Sequence, residues 1–307
     1  MKLSEEYALS IFNVKLNEED KILTKDELIG KSNDCDGILS SLTEKFDADT
    51  ISKLSDTVKI ISNFAVGFGN IDLEAAKKRN IIVTNTPDVL TDATAEIAML
   101  LILGAARRAS EGMTYVKNKN WKWTSDFLIG KQLKGSRLGI LGMGRIGRAV
   151  AIRAKAFGME IHYHNRSQLK PDLEMGAIYH ENIKSLFSVS DILSINCPAT
   201  KETKNIINKK TLEFFPPEAI ITNSARGDMI DDEAMVQALI NRKIYAIGLD
   251  VYKGEPNIYP GYLNQKDVFI LPHLGSATKK TRIAMGNLAI DNIVEFFDKR
   301  SCKNRVN

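Results

Sequence analysis

The feature that most constrains the fold is a glycine-rich stretch, Gly139–Gly147, which contains Gly-x-Gly-x-x-Gly at Gly142, Gly144 and Gly147. It lies between a predicted strand and a predicted helix, with a second strand beyond: residues 137–141, 148–157 and 160–164. In such a unit the first glycine makes the tight turn, the second lets a pyrophosphate approach the backbone, and the third lets the helix pack on the strand. Free N–H groups and the dipole at the helix N-terminus favour the negative group. The stretch therefore predicts a dinucleotide site rather than a flexible glycine turn.

Length and charge limit the class of protein. A chain of 307 residues is long enough for two domains, each with its own core. Hydrophobic residues make up 44% and charged residues 26%, which is typical of a soluble globular protein. The net charge of +4 comes without a dense Lys/Arg cluster, and no run approaches the roughly 18 apolar residues of a membrane helix. We therefore expect neither a nucleic-acid partner nor a membrane.

Cysteine usage indicates the compartment. Cys35, Cys197 and Cys302 are odd in number and widely spaced, which argues for a reducing environment and against a disulfide framework or a zinc site. The first residues, Met1–Glu6, are acidic where a signal peptide would be basic and then apolar. The expected location is the cytoplasm.

Strand-like and helix-like segments alternate along the chain, which predicts an α/β protein with parallel sheets covered on both faces. The predicted strands are 7–12, 37–39, 58–61, 81–83, 137–141, 160–164, 192–196, 220–223, 245–249 and 268–271. The predicted helices include 24–29, 71–79, a long apolar one from Thr91 to Arg108, 148–157, 232–241 and 278–298.

We predict a substrate domain at 1–93, a dinucleotide-binding domain at 94–276 and a C-terminal helix, 277–307, that returns to the substrate domain. Trp121 and Trp123 lie in a polar connector after the long apolar helix. They either hold that loop down or belong to an interface or a substrate entrance. Because apolar surface on linking elements is commonly covered by a second subunit, we expect a homodimer.

Three polar residues follow three successive strands of the second domain: Arg226, Glu255 and His273. Ligands bind beyond the carboxyl ends of strands in open α/β sheets. Each residue alone could be an ordinary surface or turn residue. Together they suit reduction of a ketone, since a protonated His neutralises the developing oxyanion, a carboxylate orients that His, and an Arg binds a substrate carboxylate.

At this point the chain resembles the D-isomer-specific 2-hydroxyacid dehydrogenase family over nearly its whole length, and within it the glyoxylate/hydroxypyruvate reductase and 2-ketogluconate reductase branch. The resemblance implies two doubly wound parallel-sheet lobes, a Rossmann dinucleotide-binding domain and a flavodoxin-like substrate domain. The stretches that carry it are 63–72, 84–96, the glycine loop, 223–227 and 272–278.

The resemblance also implies roles for individual residues. Arg226, Glu255 and His273 would be the catalytic set, with Val66 and Gly67 offering backbone N–H groups to the substrate carboxylate. The implied cofactor contacts come from the glycine loop and from residues at neighbouring strand ends: Thr94, Gly142, Met143, Gly144, Arg145, Ile146, Gly147, Cys197, Pro198, Ala225, Asp250 and Gly275. Read alone, Cys197 would be a small buried hydrophobe, which is compatible with a backbone contact.

One position departs from the NAD pattern. The second strand should end in an acidic residue that binds the ribose hydroxyls, but this chain has Asn165, Arg166 and Ser167 there. Without a carboxylate nothing repels a 2′-phosphate, so these residues favour NADP; in the alternative, Arg166 stacks on the adenine of NAD. His162 and His164 share one face of a strand, and with no third ligand in the sequence we interpret them as ordinary strand residues and predict no metal.

The leading hypothesis is an NADPH-preferring reductase of small 2-keto acids such as glyoxylate or hydroxypyruvate. A dehydrogenase of another acid, of the phosphoglycerate or 2-ketogluconate type, is the rival within the class. Formate oxidation fits less well, because those relatives pair the His with Gln where this chain has Glu255. A rival from another class is a dinucleotide-sensing, corepressor-like binding protein, which the complete catalytic trio disfavours.

Overall fold

The computed structural model describes residues 2–307. It forms two compact units, one comprising the chain up to Leu90 together with Thr278–Asn307, the other Thr91–Ala277. Every strand pair within the two sheets is parallel. The predicted α/β class with parallel sheets is confirmed.

The larger unit is built on a seven-stranded sheet. Its strands are β4 (Arg137–Leu141), β5 (Glu160–His164), β6 (Ile178–Tyr179), β7 (Ile192–Ile195), β8 (Ala219–Asn223), β9 (Ile244–Leu249) and β10 (Val268–Ile270). Its helices are α5 (Thr91–Ala106), α6 (Ala109–Lys117), α7 (Arg145–Ala156), α8 (Pro171–Glu174), α9 (Ile183–Val189), α10 (Lys209–Leu212), α11 (Asp232–Ile240) and α12 (Pro260–Leu263), with a 3-10 turn at Gly227–Met229.

The strand order is β10-β9-β8-β7-β4-β5-β6. The order reverses between β4 and β7, which is the switch point where dinucleotides bind in Rossmann folds. Apolar side chains of α5 and α7 cover one face of this sheet, and those of α9 and α11 cover the other. The interior strands β4, β7, β8 and β9 are therefore buried on both faces, as their largely apolar sequences require.

Two helices begin at residues whose side chains cap the first turn. Asp231 accepts a hydrogen bond from the Ala234 N–H at the start of α11. Thr278 accepts one from Thr281 at the start of the last helix, α13 (Lys279–Lys299). These caps satisfy N–H groups that have no partner inside the helix.

The smaller unit has a three-stranded sheet in the order β1-β2-β3. Its remaining elements in chain order are α1 (Lys2–Leu9), α2 (Lys25–Lys31), β1 (Gly37–Ser40), α3 (Ala48–Lys53), β2 (Ile60–Asn63), α4 (Leu73–Lys78) and β3 (Ile82–Thr84). One face of the sheet packs on α2, α3 and α4. The other packs on α13 through Ile60, Ile293 and Phe296.

The predicted first strand, residues 7–12, is wrong: the chain forms α1 up to Leu9 and then turns. Contacts with α13 stabilise this helix, since the Tyr7 hydroxyl donates to Asp291 at 2.8 Å and Ser4 lies against Gly286. The two-residue strand β6 was not predicted. None of the helices described between residues 2 and 307 is long and apolar enough to cross a membrane.

Candidate active site

The glycine loop joins β4 to α7 in the larger unit. Gly142 has φ +93°, and a Cβ there would meet the backbone of Cys197. A Cβ on Gly147 would collide with the carbonyl of Gly142, whereas one on Gly144 would point into open space. Close packing at two glycines and an open approach at the third fit a dinucleotide pyrophosphate against the α7 N-terminus, where Arg145, Ile146 and Gly147 form the first turn.

Arg226 follows β8, and its position depends on a buried asparagine. Asn223 is fully buried; its Nδ2 donates to the Arg226 carbonyl at 2.8 Å, and its Oδ1 accepts from the Ala225 N–H at 2.9 Å. Gly227 lies so close to the backbone of Tyr252 that a Cβ would not fit. The segment carrying Arg226 is therefore packed directly against the segment that leads to Glu255.

Glu255 and His273 form a direct pair. The Glu255 Oε2 lies 2.6 Å from the His273 Nδ1, and its Oε1 accepts from the Tyr252 N–H at 2.8 Å. Both carboxylate oxygens are thus used, which holds the carboxylate in one orientation. With Nδ1 bound to Glu255, Nε2 is the ring nitrogen left to exchange a proton with a substrate. About a third of each side chain is exposed, 36% for His273 and 32% for Glu255.

The backbone at His273 has φ +55°, in the left-handed region that few non-glycine residues adopt. Asp250, 1% exposed at the end of β9, accepts from the N–H groups of Leu274 and Gly275 at 2.7 and 2.8 Å. The Thr94 hydroxyl donates to the Gly275 carbonyl at 3.0 Å. Asp250 and Thr94, predicted as cofactor contacts, thus hold the loop that carries the histidine.

The charges in the site are coupled. Burial raises the pKa of the Glu255 carboxyl, but hydrogen bonds from His273 and the Tyr252 N–H and nearby positive charges lower it by more. The net effect is a pKa below its ordinary value, so the carboxylate is charged at neutral pH. Burial lowers the pKa of the Arg226 guanidinium, and the Glu255 charge opposes that shift. A guanidinium remains protonated at neutral pH even so.

The pKa of Asp250 is shifted in the opposite direction. Burial raises the pKa of its carboxyl above the ordinary value, although the N–H groups of Leu274 and Gly275 and the charge of His273 act against that shift. A buried carboxyl is tolerated here because its oxygens are hydrogen-bonded.

Cys197 and Pro198 follow β7 on the other side of the switch point, and Cys197 lies against Gly142. Burial raises the pKa of the Cys197 thiol to about 11. The thiol is therefore neutral at physiological pH and does not act as a nucleophile. Its position fits a residue that borders the dinucleotide through its backbone.

Asn165, Arg166 and Ser167 follow β5. The Asn165 Oδ1 accepts from the Met143 N–H in the glycine loop at 2.7 Å. Arg166 and Ser167 are exposed at the surface of the loop. Asn165 therefore ties this loop to the glycine loop and leaves a guanidinium and a hydroxyl facing outward.

Val66 and Gly67 belong to the smaller unit, in the loop after β2. Their carbonyls accept from the side-chain amides of Asn85 and Asn63 at 2.9 and 2.8 Å. Among the described residues, neither N–H group donates to a protein acceptor. The loop thus carries two successive N–H groups available to an anion.

His162 is 6% exposed and lies between two partners, with Nδ1 2.9 Å from the His180 Nε2 and Nε2 2.9 Å from the Glu160 Oε1. His164 Nδ1 lies 2.8 Å from the His180 carbonyl. Across residues 2–307 there is no group of three or more His, Cys, Asp or Glu side chains that could hold a metal ion.

Two contributors were missed by sequence reasoning. The Tyr252 N–H holds the Glu255 carboxylate, and the Tyr252 hydroxyl donates to the Leu271 carbonyl at 2.7 Å, close to His273 in the chain. Asn223 closes the turn before Arg226. The only signal for Asn223 was an amide residue at the end of an apolar strand, and a backbone N–H such as that of Tyr252 leaves no signal in the sequence.

Comparison with known proteins finds relatives that match most of the chain. Residues 99–275 match the NAD-binding domain of the D-isomer specific 2-hydroxyacid dehydrogenases. The chain is 40% identical to a glycerate dehydrogenase from Hyphomicrobium methylovorum over 289 residues, covering 93% of this chain and 90% of the relative. It is 39% identical to a glyoxylate reductase from Thermococcus litoralis over 303 residues, covering 96% and 91%.

A solved structure is similar over the whole chain. The NADPH-dependent glyoxylate/hydroxypyruvate reductase from Sinorhizobium meliloti, in complex with NADP and malonate, superposes with a TM-score of 0.89 at 31% identity. The match covers 100% of this chain and 93% of that one.

The fold and the site define an oxidoreductase with a Rossmann-type NAD(P)-binding domain. The chain belongs to the D-isomer-specific 2-hydroxyacid dehydrogenase family. It is therefore a 2-hydroxyacid dehydrogenase. The expectation of an enzyme is confirmed, in place of the corepressor-like alternative.

Proposed function

We propose that the protein reduces glyoxylate and hydroxypyruvate to D-2-hydroxy acids and prefers NADPH. The observation that carries the proposal is the 2.6 Å pair of Glu255 and His273, formed in the same unit as Arg226 and the glycine loop. Relatives named glyoxylate reductase support the substrate class.

The glycine loop would hold NAD(P)H, which when bound would supply the hydride that reduces the keto carbon. His273 donates the Nε2 proton to the carbonyl oxygen as negative charge develops there, and Glu255 stabilises the imidazolium through Nδ1. Arg226 binds the substrate carboxylate. We propose that the Val66 and Gly67 N–H groups bind a carboxylate of the substrate.

The test is a spectrophotometric panel of glyoxylate, hydroxypyruvate, 2-ketogluconate and phosphohydroxypyruvate, each with NADPH and with NADH. We expect the highest kcat/KM for glyoxylate or hydroxypyruvate with NADPH. A higher value for either of the other two acids would assign the protein to a different substrate within the family.

The pairing of Glu255 with His273 predicts an effect on the rate of reduction. The pKa of Glu255 lies below its ordinary value, so the carboxylate is charged at neutral pH, and it lies 2.6 Å from the His273 ring. A charged carboxylate at that distance stabilises the imidazolium that donates the proton. Glu255→Gln removes the charge and should lower kcat for glyoxylate by about tenfold, with a smaller change in KM.

Glu213→Gln, on the exposed surface of the same unit, is the matched control and should leave kcat unchanged. A wild-type kcat in Glu255→Gln would mean that the carboxylate does not assist the acid.

The loop after β5 predicts the cofactor preference. With no carboxylate at positions 165–167, Arg166 is available to a 2′-phosphate. An exposed Arg–phosphate pair contributes roughly 1–3 kcal/mol, or about ten- to a hundredfold in affinity. Arg166→Ala should therefore raise the KM for NADPH by that factor and the KM for NADH little.

Lys210→Ala removes one exposed positive charge elsewhere in the unit and should change neither KM. Equal shifts for both cofactors in Arg166→Ala, or a wild type that prefers NADH, would refute the assignment.

We also propose a homodimer that covers α6 and the connector after it, residues 109–130. Helix α6 has no buried residue, and this arm exposes large apolar side chains: Met113 at 55%, Val116 at 62%, Trp121 at 55%, Trp123 at 92% and Ile129 at 64%. Surface of this kind on an arm is typically covered by a partner. Light scattering should give about twice the chain mass of 34.2 kDa, and Trp121→Ser with Trp123→Ser should lower it; a wild-type mass of one chain would contradict the proposal.

The proposed location is the cytoplasm. The three cysteines of the chain are free in the structure. Thiols of this kind persist in a reducing compartment.

A further inference from the structure

Three hydrogen-bond donors hold the loop after β2. The carbonyls of Ala65, Val66 and Gly67 accept, in order, from the Thr86 N–H at 2.8 Å, the Asn85 Nδ2 at 2.9 Å and the Asn63 Nδ2 at 2.8 Å. Three consecutive carbonyls are thus engaged, while the N–H groups of Val66 and Gly67 have no acceptor among the described residues. The hydrogen bonds to these three carbonyls therefore fix the loop conformation in which the two N–H groups are available.

The central donor, Asn85, is 9% exposed, and its backbone N–H and carbonyl are both hydrogen-bonded. Its N–H donates to the Asn304 carbonyl at 3.2 Å, and its carbonyl accepts from the Asn292 Nδ2 at 3.0 Å. The Asn304 Nδ2 in turn donates to the Asn292 Oδ1 at 2.8 Å. A hydrogen-bonded chain therefore runs from the C-terminal residues, through α13, to the Val66 carbonyl.

The last residues also extend the sheet. Val306 donates its N–H to the Val83 carbonyl at 2.9 Å, and the Asn307 side chain accepts from the Val83 N–H at 2.9 Å and donates to the Ile81 carbonyl at 2.7 Å. Residues 304–307 thus lie along the free edge of β3 and anchor Asn304 where it meets Asn85.

We propose that Asn85 is a positioning residue for the substrate carboxylate, and that Asn292 and the C-terminal segment 304–307 hold it in place. The proposal rests on the proposed function, in which the Val66 and Gly67 N–H groups bind that carboxylate. Asn85 does not touch the substrate; it fixes the Val66 carbonyl, and with it the direction of the neighbouring N–H groups. The C-terminal end of the chain is thereby part of the substrate-recognition apparatus.

The experiment measures carboxylate recognition apart from cofactor binding. Asn85→Ala should raise the KM for glyoxylate and the inhibition constant of oxamate, an isostere of a 2-keto acid, by about five- to tenfold, the usual worth of one hydrogen bond in a polar site. The dissociation constant of NADPH should not change, and kcat should change less than KM. Inhibition by oxamide, which lacks the carboxylate charge, should be affected less than inhibition by oxamate.

Asn304→Ala tests the same chain of hydrogen bonds at a less buried residue and should give a smaller shift in the same two constants. This variant tests the positioning role if Asn85→Ala does not fold. Asn17→Ala is the matched control, because its Nδ2 also donates to a backbone carbonyl, that of Lys21 at 2.7 Å, in a different loop of the same unit. An active wild type with unchanged oxamate and glyoxylate constants in both variants would overturn the positioning role alone. A wild type that neither reduces glyoxylate nor binds oxamate would overturn the proposed function and this role with it.

Discussion

Replacing His273 by Ala should lower kcat for glyoxylate reduction by on the order of 10²–10⁴-fold, the usual contribution of a positioned acid. The His273 Nδ1 is occupied by Glu255 at 2.6 Å, and Nε2 is left to protonate the oxygen of the keto group. Ala removes the proton donor and leaves the Glu255 charge without its partner. Steady-state kinetics with saturating cofactor measure the effect.

The dissociation constant of NADPH is the control for this variant and should stay close to the wild-type value, because the glycine loop is formed by other residues. His273→Gln retains an amide hydrogen bond to Glu255 but carries no transferable proton, and it should be as slow as His273→Ala. A loss below tenfold in both variants would show that another group protonates the product.

Strands in the interior of the larger sheet were predicted closely. The observed β4 and β5 agree with the predicted 137–141 and 160–164, because both flank the glycine loop and its helix and are bounded by turn signals. Strand β6 has only two residues, one of them exposed, and so short a segment shows no alternation of apolar and polar residues. The prediction of a strand at residues 7–12 was wrong for a different reason. Their short apolar pattern suits either structure, and contacts with α13, more than 270 residues later, decide for a helix.

The candidate catalytic residues could also be named from the sequence. Residues that follow the carboxyl ends of parallel strands are expected to lie where ligands bind. The contacts that orient these side chains could not be predicted from the sequence. The left-handed backbone of His273 depends on Asp250, 23 residues earlier in the chain, and on Thr94, whose hydroxyl reaches the Gly275 carbonyl. Sequence reasoning assigned Asp250 only a cofactor contact, because a buried carboxylate that accepts from two backbone N–H groups leaves no periodic signal.

Arg226→Ala should mainly weaken substrate binding. A charge-assisted pair between a guanidinium and a carboxylate contributes about 2–3 kcal/mol in a half-buried site, which is a roughly 30- to 150-fold rise in the KM for glyoxylate. Arg226 suits this role because Asn223 fixes its backbone and Gly227 packs the segment against Tyr252. The KM for the cofactor should change little, since Arg226 lies outside the glycine loop.

Arg226→Lys separates charge from geometry. Lysine keeps the positive charge but lacks the planar fork that matches both oxygens of a carboxylate, so it should recover only part of the lost affinity. The KM for glyoxylate should be lowest in the wild type, higher in Arg226→Lys and highest in Arg226→Ala. Inhibition by oxamate should weaken in the same order. If Arg226→Ala instead lowered kcat and left both constants unchanged, Arg226 would act on the reacting carbonyl rather than on the carboxylate.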